Sequence, residues 1–246
     1  ARMMQALPSA GPDRGAMIAL RASEKAVGQL LFENSIELAL AAVNGPENIV
    51  LSGRANTVDE VRILATERGI NCRILSVSHA FHSSLMASVA DPFRELVESV
   101  NLQLPNIPFI STVSGKIESE ALLDPVFWAR QICSPVRFAD GVSALKETGL
   151  NCHLEIGPGI TLTALSQELI PAANIRRLPS LRQNQNGCQQ IRQALAALYA
   201  DGAAINWVAL HPGQNRKRAR LPNYPFQRQT FWIDDHYSPE LASRRH

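Results

Sequence analysis

The chain has 246 residues, 46% of them hydrophobic and 19% charged, with a formal net charge of +2. That length suits one large domain or two smaller ones, and that composition supports a real core. The small charge gives no argument for nucleic acid or an anionic membrane as partner, and no run reaches the roughly 18 apolar residues of a spanning helix.

The opening stretch ARMMQALPSAGPDRG lacks the apolar core of a signal peptide and starts in mid-pattern, as a piece of a longer chain would. GAMIAL (Gly15–Leu20) is a short apolar run and reads as a strand. SEKAVGQLLFEN follows with Ser23 placed as an N-cap and apolar residues at helical spacing. IELALAAVNG and NIVLSG, separated by the turn residues Asn44, Gly45 and Pro46, read as adjacent strands. Thr57 and Glu60 form a capping box for the helix TVDEVRILATERG, whose inward stripe is Val58, Val61 and Leu64 and whose end is Gly69. INCRILSVS closes the series as a strand. The order β-α-β-β-α-β is that of a ferredoxin-like, split βαβ unit.

Beyond His82 the period changes. Leu85, Val89, Phe93, Leu96 and Val100 recur at helical spacing, with Pro92 expected to kink the helix or restart it with Asp91 as cap. IPFISTVSG reads as a strand, and DPVFWARQI and FADGVSALKETG as helices. CHLEIGPG is a strand running into a Gly-Pro-Gly turn, followed by the helix ITLTALSQEL, which makes one unit of a larger α/β layer. IRRLPSL is a further strand and CQQIRQALAALYADG a further helix ending at Gly202. From Trp207 the chain is Pro-rich and irregular. The four cysteines, Cys72, Cys133, Cys152 and Cys188, form no CxxC pair and read as reduced, buried or semi-buried thiols of a cytosolic protein.

The stretch SHAFHSSLM (Ser78–Met86) concentrates the chemistry. His79 and His82 could share a helical face, but two ligands fall short of the three or four that zinc takes. A histidine ending an apolar strand is also a common structural residue, satisfied by a backbone carbonyl. His82 stands after a strand and before a helix, where α/β folds gather their chemistry. As a general base it would need an acceptor on its other ring nitrogen and a nucleophile to serve. Ser83 and Ser84 read as helix caps. No GxSxG nucleophile turn occurs: TVSGK lacks the first glycine and GPGIT has no serine. Gly157-Pro158-Gly159 lacks the Lys-Ser/Thr of a phosphate loop. Phe127 and Trp128 read as core, and the basic run Arg216, Lys217, Arg218 and Arg220 as a solvated loop.

Taken together, several stretches resemble the acyltransferase domain of modular type I polyketide synthases, related to bacterial malonyl-CoA:acyl-carrier-protein transacylases. His79-Ala80-Phe81-His82 is similar to the family's HAFH motif, and Glu155-Ile156-Gly157-Pro158-Gly159 to its GPG turn. Phe127-Trp128-Ala129-Arg130-Gln131 with Ser134-Pro135-Val136-Arg137-Phe138 is similar to its W…PVRF block. Leu221-Pro222-Asn223-Tyr224-Pro225-Phe226-Gln227-Arg228, ending in Phe231-Trp232, is similar to the LPxYPFQRxxYW segment behind that domain, with Phe231 where tyrosine is usual.

The resemblance implies a ferredoxin-like small subdomain (15–78) inserted in an α/β-hydrolase-like large subdomain. Of the latter only the C-terminal part is expected here (79–178, with 1–14 the tail of a large-subdomain helix). A post-acyltransferase linker (179–235), packed back as a strap, and the start of a further linker (236–246) follow. It implies His82 as the general base and the backbone carbonyl of Gln131 as its orienting acceptor. His79, Ala80 and Phe81 would set extender specificity, Phe81 filling the space of an α-methyl, and Gly157, Pro158 and Gly159 would form an active-site turn. The nucleophilic serine and the carboxylate-gripping arginine belong upstream; Arg2, in Ala1-Arg2-Met3-Met4-Gln5, is out of register for the latter. The implied activity is malonyl transfer from CoA to the phosphopantetheine thiol of an acyl carrier protein, in the cytoplasm, with neighbouring synthase domains (a ketosynthase upstream) as further partners and no bound cofactor or metal. This stretch alone is expected to be inactive. The alternative is a non-catalytic docking scaffold for the carrier protein or neighbouring domains.

Overall fold

The computed structural model describes Met3, Leu7, residues 14–210, residues 219–227 and Gln229. The chain divides into a unit up to Ala203 and a second from Ala204.

The first unit opens with β1 (Gly15–Leu20), α1 (Glu24–Glu33), β2 (Ala39–Gly45), β3 (Asn48–Arg54), α2 (Ala55–Glu67) and β4 (Cys72–Ile74). The four strands form one sheet in the order β2-β3-β1-β4, with every neighbouring pair antiparallel. Side chains alternate across a strand, and here both faces are buried. Ile18 and Leu20 of β1 and Ile49 and Leu51 of β3 pack with Val27 and Leu30 of α1 and Val58, Val61 and Ala65 of α2. Met17 and Val50, pointing the other way, meet Ala41, and Phe81 packs against them. The second face of the sheet is thus the floor beneath the HAFH loop.

The helices start and stop for local reasons. Ser23 caps α1, its Oγ accepting from Ala26 N–H at 3.2 Å. The capping box expected at Thr57 does not form: α2 begins two residues earlier, at Ala55, whose N–H donates to the Arg14 carbonyl at 2.9 Å. Gly69, at φ +70°, ends it as expected. β4 keeps only three of the residues expected of it.

After β4 a short 3-10 turn (Ser84–Met86) leads into α3 (Ala87–Glu98), which runs continuously through Pro92 and is neither restarted nor capped at Asp91. β5 (Phe109–Ser111) turns back through Gly115 (φ +69°) into β6 (Lys116–Glu118), a hairpin partner not foreseen. Asp124 caps α4 (Pro125–Cys133), accepting from Val126 N–H at 2.9 Å, with Pro125 in the first turn where its missing N–H costs nothing. α5 (Phe138–Glu147) follows. β7 (Cys152–Glu155), α6 (Thr161–Leu169) and β8 (Arg176–Pro179) make a parallel βαβ unit, and α7 (Gly187–Ala200) is capped by Asn186.

Phe127 is buried. Trp128 is half-buried, lies against Phe109 and Phe127, and donates its indole N–H to the Leu122 carbonyl at 2.9 Å, so both belong to the core. The cysteines are free, and Cys188 is exposed where a semi-buried thiol was expected. Among the described residues no helix is long and apolar enough to cross a membrane, and no group of three or more His, Cys, Asp or Glu could hold a metal ion. In the second unit Tyr224 and Phe226 stack edge to face at 5.2 Å, and both are more than 70% exposed. Arg216, Lys217, Arg218, Arg228, Phe231 and Trp232 lie outside the described residues, as do Ala1, Arg2, Met4 and Gln5.

Candidate active site around His82

His82 sits in the loop between β4 and the 3-10 turn, at φ +59°. This left-handed conformation is uncommon for a residue with a side chain, though histidine is among those enriched there. It is held by its neighbours. Ala80 is fully buried, and its backbone lies so close to Gly15 that a Cβ on Gly15 would come within 2.3 Å of Ala80 N. Ser83 Oγ donates to the Ala80 carbonyl at 2.6 Å and accepts from Leu85 N–H at 3.3 Å, capping the 3-10 turn. Ser83 is therefore a cap; Ser84 is the first, exposed residue of the turn.

The two histidines face different partners. His79 is buried; its Nδ1 is 2.8 Å from Ser78 Oγ and its Nε2 is 3.2 Å from the Leu7 carbonyl. A carbonyl only accepts, so Nε2 carries the proton and the serine hydroxyl donates to Nδ1. That is the structural histidine of the pair. His82 is half-buried, and its Nδ1 lies 3.2 Å from the Gln131 carbonyl and 2.9 Å from the Ser134 carbonyl. Two acceptors place the proton on Nδ1 and leave the lone pair on Nε2, the arrangement a base requires. Gln131 and His82 are thus brought together as expected from the sequence. Ser134 was missed: the resemblance implied only Gln131, and a carbonyl that every residue carries does not mark its position in the sequence.

Phe81 lies edge-on to His79, with ring centroids 5.9 Å apart, and packs on Met17, Ala41 and Val50. Its ring anchors the loop to the sheet. Gly157, Pro158 and Gly159 form the turn between β7 and α6, where Gly157 N–H donates to Ser180 Oγ at 3.0 Å. Just before them, the Glu155 carboxylate accepts from Leu162 N–H at 3.2 Å and Thr163 N–H at 2.8 Å, bracing the first turn of α6. Among the described residues no hydrogen bond joins this turn to the His82 loop. A cleft of about 920 Å3, lined among others by Ser52, Arg54, Glu60, Ser83 and Ser84, borders the turn after His82 but does not include His82 itself.

The arrangement can take a proton at Nε2 and return it. Comparison with known proteins supplies its setting. The family model of the acyl transferase domain matches residues 2–205.

The chain belongs to the acyl transferase domain family.

This acyltransferase chain is 34% identical over 242 residues to the polyketide synthase GfsA of Streptomyces halstedii, covering 97% of the chain and 3% of that protein. It is 36% identical over 235 residues to the spectinabilin polyketide synthase system protein NorB of Streptomyces orinoci, covering 94% of the chain and 11% of that protein. Its fold is the α/β fold of the acyltransferase domain from the second module of the salinomycin polyketide synthase, with a TM-score of 0.79 at 36% identity, over 92% of the chain and 52% of that domain. It also resembles the acyl-carrier-protein-S-malonyltransferase of Bartonella henselae, with a TM-score of 0.67 at 28% identity, over 82% of the chain and 62% of that structure. The chain therefore spans about half of the first of these domain structures and a few per cent of the first curated relative.

Proposed function

We propose that this chain carries the general base of a malonyl-specific acyltransferase of polyketide biosynthesis. The single observation behind the reading is the His82 ring, whose Nδ1 meets the carbonyls of Gln131 and Ser134 and whose Nε2 is thereby left basic. In the proposed reaction a serine supplied by a preceding segment loses its proton to His82 as its Oγ attacks the malonyl thioester. The C–S bond breaks, the CoA thiolate takes the proton back from His82, and a malonyl ester remains on the serine. The phosphopantetheine thiol of an acyl carrier protein then attacks that ester, with His82 accepting the thiol proton and returning it to the serine oxygen. The two main-chain carbonyls hold the ring in place through both half-reactions, the role a carboxylate plays in other triads.

Residues 15–78 act in this reading as a ferredoxin-like small subdomain whose second sheet face carries the base loop, and the large subdomain is completed by the preceding segment. Adjacent synthase domains, a ketosynthase among them, and the carrier protein are its partners, in the cytoplasm. The chain alone, without that serine and a malonate-binding arginine, transfers no acyl group. Phe81 sets the extender preference by denying space to an α-methyl, a discrimination worth about 1–3 kcal/mol.

Intact-mass analysis tests the proposal. The chain joined to its natural preceding segment is incubated with malonyl-CoA or methylmalonyl-CoA, alone and as the Phe81→Ser variant. The expected result is a malonyl adduct, little methylmalonyl adduct, and a narrowed preference in the variant. Equal loading of both thioesters would remove the role of Phe81. No adduct on a folded protein would leave a docking scaffold as the function.

A further inference from the structure

The hydrogen-bond partners of the His82 ring are the Gln131 and Ser134 carbonyls, not Pro135 or Arg137, yet these two residues decide what those carbonyls are free to do. In an α-helix the carbonyl of residue i is taken by the N–H of residue i+4. For Gln131 that residue is Pro135, which has no N–H. A proline also forces the residue before it out of helical conformation, and Ser134 sits at φ −83°, ψ 151°. α4 therefore ends at Cys133, the Gln131 carbonyl has no helical partner, and the Ser134 carbonyl turns away from the helix axis toward His82.

The following residues lock this break. Val136 N–H donates to the Ala41 carbonyl at 2.8 Å, and the Val136 carbonyl accepts from Val43 N–H at 2.9 Å, so Val136 is a one-residue parallel addition to the edge of β2. Arg137 N–H donates to the Thr112 carbonyl at 2.6 Å. The Arg137 guanidinium then binds Asp140 at 2.7 Å and Glu24, in the first turn of α1, at 3.3 Å. The segment is tied on one side to β2 and α1, and on the other to the β5–β6 hairpin and α5.

We propose that Pro135 and Arg137 are positioning residues that set the tautomer of His82, by keeping the Gln131 and Ser134 carbonyls free and fixed under Nδ1. The inference rests on His82 acting as the base, but its test does not depend on that reaction. With an alanine at position 135 the restored N–H competes for the Gln131 carbonyl and α4 can continue by a residue or more, drawing Ser134 away from the ring. With Arg137 cut back, the tether to Glu24 and Asp140 is gone and the Ser134 carbonyl loses its fixed position.

Histidine-selective nitrogen-15 spectra of the full chain read the tautomer directly. In the unaltered chain His82 is expected with a protonated Nδ1 and an unprotonated Nε2, and His79 with the reverse. Pro135→Ala and Arg137→Gln are each expected to raise the His82 Nε2–H to Nδ1–H ratio about tenfold, the change that about 1.4 kcal/mol commands. His79 and His153, whose partners lie elsewhere, stay unchanged and show that the fold is intact. Arg137→Lys, which keeps one ion pair, restores part of the original ratio. Where a variant loses the His79 and His153 signals, Asp140→Asn removes only one tether and is read in the same way. An unaltered His82 tautomer in folded Pro135→Ala and Arg137→Gln overturns the proposal whatever the acyl-loading assay gives. A shifted tautomer with no acyl loading in the complete domain upholds the positioning role and removes the reaction.

Discussion

His153 shows how a side chain can tie stability to pH without entering the chemistry. Its Nδ1 is bonded to Ser166 Oγ at 2.9 Å, its Nε2 is buried without a partner, and Arg177 donates to the same serine hydroxyl at 3.3 Å. Burial, with the Arg177 charge beside it, holds the His153 pKa below the usual histidine range. Its charged form is disfavoured in the folded state, so the unfolded chain binds the proton first. Stability is full above the ordinary histidine value near 6.5 and falls as the pH drops through it toward the lower folded value. Denaturant titrations at pH 7.5 and at pH 5.5 are expected to show this loss, and His153→Gln to reduce it; an equal loss in the variant would assign the pH dependence elsewhere.

The same scale explains Gly15. A methyl group there would strike the backbone of Ala80, which cannot swing aside as a side-chain tip could. Gly15→Ala should therefore lower stability by about 1–3 kcal/mol, as overpacking does, and displace the base loop. Thermal melting and the His82 nitrogen signals would register the two effects. Nothing in GAMIAL marks Gly15 for this duty, because its neighbour lies 65 positions along the chain. His82, by contrast, was legible as a candidate from the stretch around it. What could not be read was its left-handed backbone and its second acceptor, both of which depend on residues from another element.

Among elements, the legible ones are those whose signals are local. β1 has the bounds of its apolar run, α1 starts at its Ser23 cap, and α4 starts at Asp124-Pro125. The failures are elements decided by distant partners. Thr57 looks like a cap, but α2 is opened earlier by the carbonyl of Arg14, on the segment entering β1. β6 is too short and too polar to announce itself and exists as the partner of β5. Val136 joins the edge of β2 from more than ninety residues away.

Two predictions belong to this scale. Asp124→Ala removes the cap of α4 and should cost about 1 kcal/mol. It should leave the His82 tautomer unchanged, since the carbonyls in use are at the other end of the helix; melting curves with nitrogen spectra test both parts. Leu30→Ala opens a hole where α1 meets the sheet, at a side chain with no exposed surface, and should cost about 2–5 kcal/mol in chemical denaturation.

For the molecule as a whole, the sheet links fold and site. One face packs on α1 and α2, and the other carries Phe81, while the edge strand β2 receives Val136. The base and its carbonyls, more than fifty positions apart in sequence at their widest, are both referred to that sheet. The acceptors are main-chain carbonyls at the end of α4, so their placement depends on where that helix stops.

The most direct test of the account is the rate of malonyl transfer from CoA to a carrier-protein thiol, measured for the complete acyltransferase domain and for its His82→Ala variant. Loss of a general base is expected to lower the turnover number about 10²–10⁴-fold, with the KM for malonyl-CoA little changed. Turnover that survives His82→Ala undiminished would contradict it.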